Sequence, residues 1–350
     1  MSKGKVSKPE ENLDNKHTSD GNSARDRLRK SSFKTRTITS LVIAAGAIGV
    51  VSIPGVAGIY VFQAMMLIFT IIGTFEMIKM YEKEKKIGLI PIIAILIFTA
   101  LNFLNVAVFE DIAQSLDGQE DFTMIGIKID YLPMILATVT VLLGLTVFCK
   151  DYDTRDASKA LTIIFYVGFG MTSIVILRLL GIKFVVYSFL ISAGTDVFAY
   201  LVGSAIGKHK MSPNISPKKS WEGAIGGTIL ATAIASCFAI FYGNIFQADT
   251  QFGSYFNAAG QLTLLDNFEF FEPMTQGTKA LIIIPITLAG SIISQIGDLV
   301  ASRIKRTYDV KDFGNIFPGH GGVLDRFDSL MFLALFLVGV FLFFNGLSVA

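Results

Sequence analysis

Charge is scarce in this chain: only 17% of its 350 residues are Asp, Glu, Lys or Arg, against about a quarter in a water-soluble domain. Histidine and cysteine are scarcer still, with three and two copies. Cys149 and Cys237 stand singly in apolar runs with no C-x-x-C partner, which argues against a disulfide or a zinc site and for plain packing. A formal net charge of +2 excludes a nucleic-acid binder that works by bulk charge, so no nucleic-acid partner is expected. Apolar residues are what the chain has in excess. It is 52% hydrophobic with a mean hydropathy of +0.58, which excludes a disordered chain and points to a membrane.

Residues 1–36 read as a basic, disordered cytoplasmic tail. From Met1 to Ile38 there are ten Lys or Arg against five Asp or Glu, charges suited to lie beside anionic headgroups. Beyond the tail, runs long enough to span a hydrocarbon core of ~30 Å recur. They predict helices at about 37–55, 57–79, 88–108, 131–149, 160–180, 184–206, 223–244, 280–301 and 329–347. The expected fold is therefore an all-α polytopic membrane protein of about nine transmembrane helices. Five belong to an N-terminal region, 37–180, and the rest to a C-terminal region, 181–350, with inner loops at 207–222 and 302–328. If the tail is inside, the inner segments hold 26 of the 30 Lys and Arg residues. The remaining four are Lys128, Arg178, Lys183 and Lys279. That asymmetry predicts a cytoplasmic N-terminus and an outside C-terminus. The 245–278 loop reads equally as an exterior cap or as slack.

Three carboxylates fall inside predicted spans: Glu76, Asp196 and Asp298. Each costs about 2.5–3.5 kcal/mol at a helix centre, so each needs a reason. Glu76, one turn from its helix end and near Lys79, reads as a snorkelling, lysine-paired group. Asp196 lies roughly 15 Å deep at 1.5 Å per residue. Ser192, Asp196 and Tyr200 form one stripe, and Ser291, Gln295, Asp298 and Ser302 form a second. Two polar stripes suggest a cavity open to the cytoplasm.

The second stripe runs into SRIKRTYDVKDFGNIFPGHGGVLDRFD, Ser302 to Asp328. Its cations at Lys305, Arg306 and Lys311 suit a polyphosphate, while its clustered acids suit a hard divalent ion such as Mg2+. Pro318-Gly319-His320-Gly321-Gly322 is a glycine turn whose N–H groups are expected to face a phosphate at the start of the last helix. Asp325 and Asp328, three apart, share a helix face within reach of a metal ion. His320 is read as a hydrogen-bond donor to phosphate rather than a base. In the preceding inner loop, Ser216-Pro217-Lys218-Lys219-Ser220-Trp221-Glu222-Gly223 reads as a cationic clamp.

The pattern Ser302-x-x-Lys305-Arg306-x4-Lys311-Asp312-x5-Pro318-Gly319-His320-Gly321-Gly322-x-x-Asp325-Arg326-x-Asp328 resembles the signature of the phosphatidate cytidylyltransferases, or CDP-diacylglycerol synthases. The Gln295-x-Gly297-Asp298-Leu299 stretch, the 216–223 loop and Thr195-Asp196-x-x-Ala199-Tyr200 resemble family motifs too. The likeness covers roughly 190–330 in detail and 37–180 in hydropathy alone. It implies cytidylyl transfer from CTP to phosphatidic acid, with Mg2+ and possibly a second metal ion, in an integral protein of the cell membrane, working as a homodimer among membrane lipids. It further implies metal binding by Asp312, Asp325 and Asp328, with Asp298 and Asp196 nearby. Lys311 and His320 would join the catalytic group. Lys218, Lys219, Ser302, Lys305, Arg306, Gly321, Gly322 and Arg326 would bind substrate. Two alternatives stand beside this: a CTP-dependent polyprenol or dolichol-type lipid kinase, and a cation transporter built on Asp196 and Asp298.

Overall fold

The structure is a computed structural model that describes residues 46, 49–53, 55–105, 129–257, 260–272, 274–317 and 321–349. The basic tail, most of the predicted 37–55 helix and His320 lie outside the described residues. In hydrocarbon, backbone N–H and C=O groups must be satisfied within the protein, so long apolar runs form helices. Among the described residues these are α1 (Gly55–Tyr81), α2 (Leu89–Leu104), α3 (Tyr131–Phe148), α4 (Thr154–Leu180), α5 (Ile182–Ile206), α6 (Trp221–Ile240), α7 (Gln276–Thr307) and α8 (Leu324–Val349). Seven of them are long and apolar enough to cross a membrane, and α2 is a shorter apolar helix. The protein is an integral membrane protein.

Local chemistry sets several boundaries away from their predicted places. α4 begins at Thr154 rather than about 160, because Asp153 accepts the N–H groups of Arg155 and Asp156 while the Asp156 side chain bonds back to the Asp153 N–H. Such a capping box starts a helix in polar sequence. α4 also contains a π-helical turn over Ile164–Phe169. α7 runs on to Thr307 and α8 starts at Leu324, so the expected 302–328 loop shrinks to 308–323. The all-helix expectation misses one hairpin: β1 (Lys210–Ser212) pairs antiparallel with β2 (Ser216–Ser220) between α5 and α6.

α5 and α6 meet backbone to backbone. A Cβ at Gly227 would stand 2.7 Å from the Thr195 carbonyl oxygen, and one at Gly223 would stand 2.6 Å from that of Ala199. α7 and α8 complete this group and bring Asp196, Asp298 and Asp328 together from three helices. The described residues of segment 241–275 form a packed cap rather than slack. Phe268 and Phe271 are buried against Phe341 and Phe344 of α8, and Asp266 pairs with Lys279 at 2.5 Å.

Candidate active site

A cleft of about 480 Å³ opens between α5, the hairpin, α6 and α7. Lys210, Lys218 and Lys219 of the hairpin form its cationic wall, and Asp196 and Gln295 lie on its polar side. The wall is built by register: Lys210 pairs across the hairpin with Ser220, whose hydroxyl caps α6 by accepting the Gly223 N–H. Lys219 forms an ion pair with Asp298 of α7. Arg306 donates to the Ile215 carbonyl at 3.4 Å and to the Val310 carbonyl at 3.0 Å, so it straps the hairpin turn to the end of α7.

Below the carboxylates, three serines tie their helices together. Ser294 of α7 donates to Ser192 of α5 at 3.3 Å, and Ser192 lies 3.0 Å from Ser329 of α8. The Ser329 hydroxyl hydrogen-bonds Asp196. Because a carboxylate only accepts, the chain of donation runs Ser294, Ser192, Ser329, Asp196. Ser192 is one turn before Asp196, Ser294 one turn before Asp298, and Ser329 adjoins Asp328. Two more cross-links join the helices: Thr195 meets Ser291 at 2.7 Å, and Gln295 donates to Thr228 at 2.7 Å. Ser192, Ser291 and Gln295 of the two stripes thus serve helix contacts, and Asp196, Tyr200 and Gln295 line the cleft.

The motif residues separate into three groups. Lys218 and Lys219 line the cleft, and Ser302 sits 3.5 Å from Asp298. Lys311, Asp312 and Arg326 are exposed. Three others are turned inward. Lys305, expected to hold phosphate, is buried and bonds Asp325 at 2.7 Å, with Asp328 at 3.6 Å. Asp325, expected as a metal ligand, already accepts three donors: Lys305, the Phe313 N–H at 2.8 Å and the Gly322 N–H at 2.9 Å. Gly322 was expected to offer that N–H to phosphate, but the carboxylate three residues on has taken it. Gly321 has φ +86, and a Cβ there would lie 2.8 Å from Asp325 and 3.3 Å from Asp312; only glycine suits so close a turn.

Glu76 also departs from expectation. It is 5% exposed, and it accepts the Val323 N–H at 2.9 Å and the Leu324 N–H at 3.0 Å. It caps α8 instead of snorkelling beside Lys79. Sequence reading also missed Lys210, whose place on the wall depends on strand pairing that a three-residue strand does not announce.

The donor chemistry fits a hard cation. Asp298 stands within electrostatic range of both Asp196 and Asp328, and Asp325 within range of Asp328. Two lysines, Lys219 and Lys305, face these four acids. Among the described residues no group of three His, Cys, Asp or Glu side chains forms a ready-made metal site.

Membrane helices thus enclose a lysine-walled cleft beside converging carboxylates. Residues 34–344 match the cytidylyltransferase family, and the chain belongs to it. Bacterial relatives named phosphatidate cytidylyltransferase are similar to it. That of Staphylococcus saprophyticus is 36% identical over 203 residues, covering 58% of this chain and 66% of its own. That of Bacillus subtilis strain 168 is 35% identical over 213 residues, covering 60% and 67%. The chain thus spans just under two thirds of the Staphylococcus saprophyticus relative's length.

Proposed function

We propose that this protein transfers the cytidylyl group of CTP to phosphatidic acid, giving CDP-diacylglycerol and pyrophosphate. The observation that carries it is the cleft itself: Lys210, Lys218 and Lys219 on one wall and Asp196 opposite, set among membrane helices. In the reaction an oxygen of the lipid phosphate attacks the α-phosphorus of CTP. The bond from that phosphorus to the bridging oxygen breaks, and the electron pair leaves with pyrophosphate. The attacking phosphate is anionic at neutral pH and needs no base, so the protein's task is to bring two anions together. The three hairpin lysines neutralise phosphate charge in a partly water-excluded site, where such charges act strongly. The serine chain and the Arg306 strap hold the walls in place, which supplies orientation.

Asp196, Asp298 and Asp328 are the proposed holders of Mg2+, with Asp312 a fourth candidate from the exposed loop. When bound, the ion would supply further charge neutralisation for the phosphates and the leaving group. The topology that fits the basic residues has the N-terminus and cleft on the cytoplasmic side of the cell membrane and the C-terminus outside. The family resemblance favours a homodimer.

CTP labelled separately at the α- and γ-phosphates tests the reaction. Purified protein with phosphatidic acid should place α-label, and no γ-label, in the lipid. Label from the γ-phosphate in a lipid alcohol acceptor would mean a kinase. Ion flux through proteoliposomes that is lost in Asp298→Asn, without lipid labelling, would mean a transporter.

A further inference from the structure

The N-terminal half lies outside the 190–330 motif region, yet one of its side chains reaches into it. Glu76 lies on α1, and both its oxygens are used 247 and 248 residues further on. Oε1 accepts the Val323 N–H at 2.9 Å and Oε2 accepts the Leu324 N–H at 3.0 Å. These are orphan donors of a helix start, which a carboxylate satisfies with charge-assisted bonds. The next residue is Asp325, and Asp328 follows one turn later.

The rest of the same α1 face is shaped to this seat. Phe69 packs on Phe327 with ring centroids 5.6 Å apart, and Gly73 leaves room for Leu324, which a Cβ there would meet at 2.8 Å. Positions 69, 73 and 76 share one side of a helix. Gly314 and Gly322 close over the carboxylate so tightly that a Cβ on either would collide with it. Leu324 is fully buried. The cap therefore sits at the α8 start among buried residues that do not line the cleft.

We propose that Glu76 is a positioning residue for the reaction: by capping α8 from α1 it fixes the helix start that aims Asp325 and Asp328. This rests on the cytidylyl-transfer reading above. It gives the N-terminal helices a part in catalysis, since the first turn of α8 has no side-chain cap of its own at Val323.

The test uses the full chain purified in detergent, comparing Glu76→Ala and Glu76→Gln with wild type. Activity is followed with CTP and phosphatidic acid, and amide hydrogen exchange is read over residues 321–326. Glu76→Ala should lower kcat at least tenfold with KM for CTP changed less than about threefold. Sodium formate, which can fill the vacated carboxylate seat, should restore a measurable part of kcat and slow the exchange again. Glu76→Gln keeps one acceptor oxygen and should fall between the two. Wild-type kcat in Glu76→Ala would overturn the proposal. So would a loss of kcat that formate leaves untouched while exchange protection returns, because the cap would then be structural only. If wild type itself fails to turn over CTP, the reaction reading falls. In that case exchange at Val323 and Leu324 unchanged by Glu76→Ala would remove the cap as well, whereas formate-reversible exchange would retain it for whatever reaction the site performs.

Discussion

Asp325 holds three donors at once, and one of them is the buried ammonium of Lys305. Asp325→Asn would leave that charge without its main partner, a change that costs about 3–5 kcal/mol when a buried pair is broken. Thermal unfolding in detergent should show this loss together with loss of turnover; an unchanged melting temperature would contradict the bracing role. Lys219 works differently, because it faces the cleft. Lys219→Met should leave stability near wild type and lower kcat/KM for CTP on the order of a hundredfold, as for loss of one charge-stabilising group. Steady-state kinetics on the two variants separates bracing from substrate handling. The sequence pattern marked both residues as functional, because their types and spacing are visible in the chain. Their division of labour was not visible, since burial of Lys305 depends on where α7 ends. Glu76 was less legible still, its partners being 247 residues away.

At the scale of elements, the α5–α6 contact has no slack. Gly227→Leu would push side-chain atoms into the Thr195 carbonyl and Ala199, and overpacking of this kind costs about 1–3 kcal/mol. Both helices carry cleft residues, so activity should fall along with thermal stability; full activity at wild-type stability would contradict the contact. Ser192→Ala removes the middle of the serine chain and should cost about 0.6 kcal/mol, the average for interhelical hydrogen bonds in membranes. The cap over 241–275 is expected to respond to pH through Asp266. Burial raises the Asp266 carboxyl, but Lys279, the Thr263 hydroxyl and two backbone N–H groups outweigh it and hold it below the usual carboxylate range of 3.8. A depressed carboxylate stabilises fully above its unfolded value and loses that contribution as pH falls through the folded one. Cap proteolysis should therefore accelerate only below about pH 4. Long helices were legible because hydrophobic length is a strong signal. The hairpin was not: its strands are three and five residues long, and one contains Pro217.

Across the whole molecule, charged side chains gather where the hairpin and three acid-bearing helix segments meet. A chain of only 17% charged residues concentrates charge there because isolated charge in lipid is costly. Hydropathy predicted the helices, but their mutual placement depends on glycine contacts and serine bonds whose partners cannot be paired from one sequence. The most direct measurement is stoichiometric. Purified protein in detergent is given CTP, phosphatidic acid and Mg2+, and pyrophosphate is counted against cytidine in the lipid fraction. One pyrophosphate per lipid-bound cytidine, abolished by EDTA and restored by added Mg2+, is the expected result. Release of CDP without pyrophosphate, or no cytidine in the lipid from folded protein, would contradict cytidylyl transfer.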